Sequence, residues 1–111
     1  MRKKHHFLLI ALLLGLWGHS ALFAQTALVC NDFTYVSLDE NCSAVVPSQM
    51  VLEGGPYCCY NDYIVELDKI APFGNGPWEP AVLSKADINK TYQIRVTDPV
   101  SSNRCWGNVK A

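Results

Sequence analysis

Five cysteines are the residues of this chain whose chemistry is easiest to foresee: Cys30, Cys42, Cys58, Cys59 and Cys105. Their spacing contains no C-x-x-C pair, the pattern typical of zinc sites and of thiol–disulfide exchange enzymes. We therefore expect disulfide bonds, and because five is odd, at most two can form within one chain. The adjacent pair leaves two arrangements open: a bridge between neighbours, or one paired cysteine beside a free thiol, which is the one we expect.

Aromatic side chains offer a second kind of chemistry, the stacking of sugar rings. Trp78 lies in a Gly- and Pro-rich segment, residues 72–80, where we expect it to be exposed. With Tyr57 and Tyr60 it forms the candidate ligand-contact group. The alternative is that these rings fill the core of a small domain or cover its ends. The full set considered is Tyr57, Tyr60, Tyr63, Trp78 and Trp106.

Carboxylates are numerous, but their spacing matches no established site. Glu66 and Asp68 share one face of a predicted strand, whereas glycoside hydrolysis needs a carboxylate pair in a cleft with one raised pKa. Since we expect both to be solvent-exposed, we predict no enzymatic activity and no catalytic residue. Ca²⁺ takes six to eight oxygen ligands, and no EF-hand spacing is present, so no cofactor is expected, with Ca²⁺ as the alternative. The acidic residues considered for Ca²⁺ are Asp32, Asp39, Glu40, Asp62, Asp68 and Asp98.

The first 24 residues indicate the compartment. Residues 1–4 are basic, residues 7–17 are apolar apart from a glycine, and the segment ends in Ala24. This is the pattern of a secretory signal peptide, with cleavage expected after Ala24. The apolar run is too short to span a membrane, which takes about 20 residues. Residues 25–111 are therefore predicted to be secreted or displayed at the cell surface, where disulfides persist.

Cleavage also changes the chemistry that the chain has available. All three histidines (His5, His6 and His19) leave with the leader, which excludes a histidine-based catalytic triad or metal site. Residues 25–111 keep six Lys or Arg and ten Asp or Glu, a formal charge of −4 compared with −1 for the precursor. An acidic domain without a basic cluster is not expected to bind nucleic acid or to insert into a membrane.

Short strands separated by turn residues dominate the mature chain. Residues 33–38 and 43–46 are rich in β-branched and aromatic residues, and a short apolar run follows at 50–52. Residues 63–68 alternate cleanly, with Tyr63, Val65 and Leu67 on one face, as expected of a half-buried strand. No regular element is expected for residues 72–80. A further short strand is predicted at 81–83, before a turn at 84–89.

The last 20 residues predict a hairpin, with strands at 92–97 and 105–111 and a turn at 98–103. Tyr92, which follows Asp87 at the start of the first strand, resembles a tyrosine corner, whose hydroxyl bonds to upstream backbone. About seven short strands in one domain, residues 25–111, predict an immunoglobulin-like antiparallel β-sandwich stapled by disulfides.

A family resemblance rests on Cys30, Cys42-Ser43-Ala44-Val45-Val46, Cys59, Val96-Thr97-Asp98 and Arg104-Cys105-Trp106. This framework resembles HYR-type modules, the immunoglobulin-like repeats of large surface proteins in Bacteroidetes-type bacteria. The resemblance covers essentially the whole mature chain. It implies disulfides Cys30–Cys105 and Cys42–Cys59, with Cys58 unpaired where relatives usually carry glycine.

The resemblance also implies a role, although a fold does not fix a function. HYR-like modules are non-catalytic, and relatives continue into further modules. The expected function is therefore structural or adhesive, as the first module of a larger extracellular protein, with other surface modules and polysaccharide as partners. The alternatives are a small carbohydrate-binding module that uses exposed aromatic rings, and a small secreted inhibitor or effector that presents residues 72–80.

Overall fold

The computed structural model describes residues 27–111, so the predicted signal peptide and its cleavage site lie outside the described residues. Seven short strands form almost all of the regular structure. They are β1 (Phe33–Tyr35), β2 (Ser43–Val45), β3 (Ile64–Asp68), β4 (Trp78–Pro80), β5 (Val82–Ser84), β6 (Thr91–Thr97) and β7 (Arg104–Lys110). One helical turn, α1 (Ser48–Val51), and two 3₁₀ turns, Tyr60–Asp62 and Lys85–Asp87, complete the regular elements.

The strands form the two layers of an immunoglobulin-like β-sandwich, as the sequence predicts. One layer is a five-stranded sheet in the order β1-β7-β6-β3-β4, and the other is the β2–β5 pair. All pairings between these strands are antiparallel except that of β1 with β7, the first and last strands, which run parallel. The large sheet is therefore mixed, a detail that strand patterning alone does not reveal.

Period-two alternation decides which side chains fill the space between the layers. On β6, Tyr92, Ile94 and Val96 are buried, and they pair across the sheet with the buried Val109 and Cys105 of β7. Because directly paired residues share a face, these side chains and Leu67 of β3 form one side of the core. Leu83 of β5, Val46 and Val51 close it from the other layer. In the predicted strands at 63–68 and 92–97, the inward placement of Leu67, Tyr92, Ile94 and Val96 is confirmed.

Two segments differ from the expectation for their local sequence. Residues 48–51 form the helical turn α1, although the apolar run at 50–52 resembles a strand. Trp78–Pro80 forms β4 inside the segment for which no regular element was expected. Proline lacks an amide hydrogen and is accepted at a sheet edge, and β4 is the edge strand beside β3.

The predicted Cys30–Cys105 disulfide is present, with 5.5 Å between the two Cα atoms. It joins β7 to the segment that precedes β1, 75 residues earlier in the chain. Gly107 makes the approach of these two segments close: a Cβ atom at that position would collide with the carbonyl oxygen of Asn31. The disulfide and the small size of Gly107 therefore both hold the segment before β1 close against β7.

The second predicted disulfide, Cys42–Cys59, is wrong. Cys58 and Cys59 are joined to each other, and Cys42 is the exposed cysteine left without a disulfide within residues 27–111. Cys42 precedes β2, whereas the hydroxyl of Ser48, beyond the other end of β2, donates to the carbonyl of Tyr60 at 2.7 Å. The length of an extended strand, about 3.3 Å per residue, therefore separates Cys42 from the Cys59 turn.

None of the helices among residues 27–111 is long and apolar enough to cross a membrane.

Candidate binding face

The side of the five-stranded sheet that faces away from β2 and β5 collects most of the exposed aromatic rings, and we call it the outer face. Strand register and alternation assign its residues to four rows that run across the sheet. The rows are Ile64–Thr97–Arg104, then Pro80–Glu66–Arg95–Trp106, then Trp78–Asp68–Gln93–Asn108–Phe33, and finally Thr91–Lys110–Tyr35.

Three rings lie open to solvent on the β1–β7 half of the outer face. Trp106 is 49% exposed, Tyr35 is 77% exposed and Phe33 is 41% exposed. The Phe33 and Tyr35 rings pack against each other with their centroids 4.8 Å apart. Register places Phe33 beside Asn108, one position diagonally from Trp106. Exposed rings grouped on one face of a small domain are typical of an interaction surface.

Trp78 occupies the opposite half of this face and is half-buried. The guanidinium carbon of Arg95 lies 4.1 Å from the centroid of its ring, a cation–π contact. Arg95 Nη2 also donates to Glu66 Oε1 at 2.8 Å. Trp78, the predicted ligand contact, therefore lies on the outer face, but one side of its ring is already covered by Arg95. Trp106 is the more accessible tryptophan.

Polar atoms without partners accompany the rings. Gln93 Oε1, Arg95 Nε and Thr97 Oγ1 are all buried on the outer side of β6, and none of them forms a hydrogen bond within residues 27–111. Thr97 itself is only 8% exposed. A buried polar group without a partner is costly, so these three atoms are a cost to the folded state, and because each is enclosed they are not contacts that a ligand on the surface reaches.

Asp68 organises the loop that borders the outer face. Although it was expected to be exposed, it is fully buried, because the backbone amides of Ile70, Gly74 and Gly76 donate to its carboxylate at 3.1, 2.7 and 3.0 Å. Both glycines have positive φ, which lets the chain turn its amides inwards. Burial alone raises the pKa of Asp68, but the backbone hydrogen bonds outweigh it and hold that pKa below its usual range.

Tyr57 and Tyr60, the other predicted ligand contacts, lie outside the outer face and are not grouped with Trp78. Tyr57 is 8% exposed, and its hydroxyl donates to the Glu53 carbonyl at 2.7 Å. Tyr57, Tyr60 and Tyr63 pack edge to face with one another. Tyr60 and Tyr63 line an open cleft of about 320 Å³. These rings stabilise the end of the sandwich instead of presenting a stacking surface.

Tyr92 stands at the predicted corner, but its partner differs from the expected one. Its hydroxyl donates to Asp87 Oδ1 at 2.6 Å, a carboxylate instead of backbone. The other carboxylate oxygen, Oδ2, accepts from the Ser84 amide at 2.8 Å and forms an ion pair with Lys69 at 3.3 Å. Asp87 thus caps the Lys85–Asp87 turn and joins it to β6 and to the loop after β3.

This network shifts the pKa values of both Asp87 and Tyr92. Burial opposes the ionised form of Asp87, but the hydrogen bonds from Tyr92, Ser84 and Lys69 prevail and lower its pKa to about 2. Burial, the bond to Asp87 and the charge of that carboxylate raise the pKa of Tyr92 to about 12. At neutral pH the carboxylate is therefore charged and the phenol is protonated, which is the arrangement that the hydrogen bond requires.

Within residues 27–111 no group of three or more His, Cys, Asp or Glu side chains is arranged to hold a metal ion. Comparison of the chain with protein-family models, with curated proteins and with solved structures finds no match.

Proposed function

We propose that this chain is a non-catalytic extracellular adhesive module that binds carbohydrate through the outer face of its five-stranded sheet. The observation that carries the proposal is the grouping of Phe33, Tyr35 and Trp106, all solvent-exposed, on one side of adjacent strands. The signal-peptide pattern of residues 1–24 and the Cys30–Cys105 staple support an oxidising location outside the cytoplasm. The resemblance to HYR-type modules supports a place at the start of a larger surface protein.

The chemistry of carbohydrate suits the exposed rings of this face. A sugar ring presents C–H groups that stack on an aromatic face and hydroxyls that both donate and accept hydrogen bonds. The outer face offers exposed rings on β1 and β7, and beside them on β7 it offers the polar side chains of Asn108 and Lys110.

Affinity electrophoresis in gels that contain soluble polysaccharides tests the proposal. We expect at least one polysaccharide to retard the chain, and Trp106→Ala to abolish the retardation. Phe73→Ala is the matched control, because Phe73 is an equally exposed aromatic residue (41%) on the loop after β3. Absence of retardation in every gel, or retardation that survives Trp106→Ala and is lost in Phe73→Ala, would contradict carbohydrate binding at the outer face.

A second candidate, a secreted inhibitor or effector, is favoured by one observation. The Asp68 carboxylate fixes the loop after β3 through three backbone amides, and the loop presents Ile70 and Phe73 to solvent. A rigid exposed loop binds with a smaller loss of conformational entropy. Inhibition of an extracellular peptidase that is weakened by Phe73→Ala and unaffected by Trp106→Ala would favour this candidate over the adhesive module.

A further inference from the structure

The outer side of β7 has a composition unlike that of the rest of the acidic domain. Alternation places four side chains along it, and in chain order they are Arg104, Trp106, Asn108 and Lys110. The strand therefore presents a cation, an aromatic ring, an amide and a second cation on one line. At about 3.4 Å per residue the two cations are about 20 Å apart, a length that admits several sugar rings.

Neither cation of β7 is neutralised by a neighbour. Lys69 pairs with Glu79 and Asp87, and Arg95 pairs with Glu66. No ion pair within residues 27–111 involves Arg104 or Lys110. The carboxylates on the outer face are otherwise engaged, because Glu66 binds Arg95 and Asp68 binds the loop amides. Trp106 is thus flanked along β7 by two cations without an ion-pair partner among residues 27–111, although the mature chain is acidic.

From this arrangement we propose that the outer face takes an acidic polysaccharide, one whose sugar rings carry carboxylates, and that the polymer lies along β7. Trp106 stacks on a sugar ring, while Arg104 and Lys110 bind carboxylates on rings to either side. The inference rests on the proposed function and adds the charge of the ligand and its direction on the sheet. Charge complementarity selects acidic over neutral glycans. The sequence shows no basic cluster here, because Arg104 and Lys110 are six positions apart.

The test compares polygalacturonate with its fully methyl-esterified form, which has the same sugar backbone without the charge. Binding of the full chain is measured at low and high salt by affinity electrophoresis or calorimetry. The charge variant carries Arg104→Gln and Lys110→Gln together. The matched control is Lys85→Gln, because Lys85 is an exposed cation on the 3₁₀ turn after β5 and not on the five-stranded sheet.

We expect wild type to bind polygalacturonate more tightly than the ester, with the difference reduced by salt. The charge variant should bind polygalacturonate about tenfold more weakly, since two exposed ion pairs contribute about 1.4 kcal/mol together, and should bind the ester as wild type does. Trp106→Ala should weaken binding to both polymers more than about tenfold, because it removes apolar contact area. Lys85→Gln should bind as wild type does.

Two results separate the failure of this inference from that of the proposed function. If Trp106→Ala loses polysaccharide binding but the charge variant binds polygalacturonate as wild type does, the acidic ligand is wrong and carbohydrate binding at the outer face stands. If Trp106→Ala changes binding to neither polymer, both proposals fall. An equal loss in Lys85→Gln, or equally tight binding of a single-stranded DNA oligomer, would also overturn the acidic-polysaccharide assignment.

Discussion

The inner and outer faces of the five-stranded sheet are built from alternate residues of the same strands, and the contrast between them separates stability from binding. On β6 and β7 the inward Ile94 and Val109 are fully buried, whereas the outward Trp106 is about half exposed. Inward positions gain free energy by leaving water. Outward aromatic positions contribute little to folding, so they are available for contact with a ligand.

The same contrast holds for the polar groups. On the inner side Tyr92, Asp87 and Lys69 satisfy one another at one edge of the sandwich. On the outer side, atoms of Gln93, Arg95 and Thr97 have no partner within residues 27–111. A closed network fixes the fold, whereas buried polar groups without partners are a cost that the folded state carries.

The largest effect on stability is expected from the long-range disulfide. The double variant Cys30→Ser/Cys105→Ser should lower the free energy of unfolding by about 4 kcal/mol, because the bond closes a loop of more than 70 residues. Cys58→Ser/Cys59→Ser should cost less than about 1 kcal/mol, since that bond joins neighbours and closes no long loop. Guanidinium denaturation of both variants checks the pair. Equal losses would contradict the assigned disulfide pattern.

A slightly smaller loss is expected from the core itself. Ile94→Ala removes a fully buried side chain at the centre of the inner face and should cost about 3 kcal/mol. Below its melting transition the variant should still bind the ligand of the outer face, because Ile94 contributes no atom to that face. Denaturation and binding measured on one preparation decide this. Loss of binding by a folded Ile94→Ala would show that the two faces are not independent.

In the corner network of Tyr92, Asp87 and Lys69, Tyr92→Phe should lower the free energy of unfolding by about 2 kcal/mol, because it removes a hydrogen bond to the charged Asp87.

The stability of this network should also depend on pH. The pKa of Asp87, about 2 in the folded chain, lies below the ordinary value of about 3.9. Its stabilising contribution is therefore present above about pH 4 and is lost as the pH falls towards 2. Thermal melts between pH 6 and 2 should show a shallower decline for Asp87→Asn than for wild type. Parallel declines would contradict the network's role.

The smallest effect on stability is expected on the outer face. Tyr35→Ser should change the free energy of unfolding by no more than about 0.5 kcal/mol, because its side chain is 77% exposed. Trp106→Ala should lower it by about 1 kcal/mol, because half of that side chain is buried. The same variants should show the greatest loss of polysaccharide binding. Paired melting and binding curves measure both quantities, and a Trp106→Ala variant that melts far below wild type would place this ring in the core and not on a binding surface.

The limits of sequence reasoning follow from how local each signal is. Alternation in residues 63–68 and 92–97 identified the inward side chains, because period two is a property of each strand by itself. The Cys42–Cys59 pairing failed because which cysteines approach depends on where both ends of β2 lie. Asp68 was expected in solvent, since nothing local indicates that the glycines after it turn their amides towards it.

The residues of the outer face also divide into those that the sequence indicated and those that depend on how the strands pair. Trp106 belonged to the aromatic set considered from the sequence, but Phe33 and Tyr35 were missed, although their i, i+2 spacing puts both rings on one side of a strand. Their relation to Trp106 depends on the parallel pairing of β1 with β7, which joins the first and last strands of the domain. No local pattern encodes that pairing.

The most direct test of the outer face as a binding surface is an NMR titration of the ¹⁵N-labelled chain with a galacturonate oligosaccharide. The amide and side-chain signals that shift should belong to the outer face: Phe33, Tyr35, Gln93, Arg104, Trp106, Asn108 and Lys110. The indole N–H of Trp106 should move most, and signals of the Tyr57–Tyr63 cluster should remain in place. Saturable shifts confined to the loop after β3, with the Trp106 indole unmoved, would contradict the account.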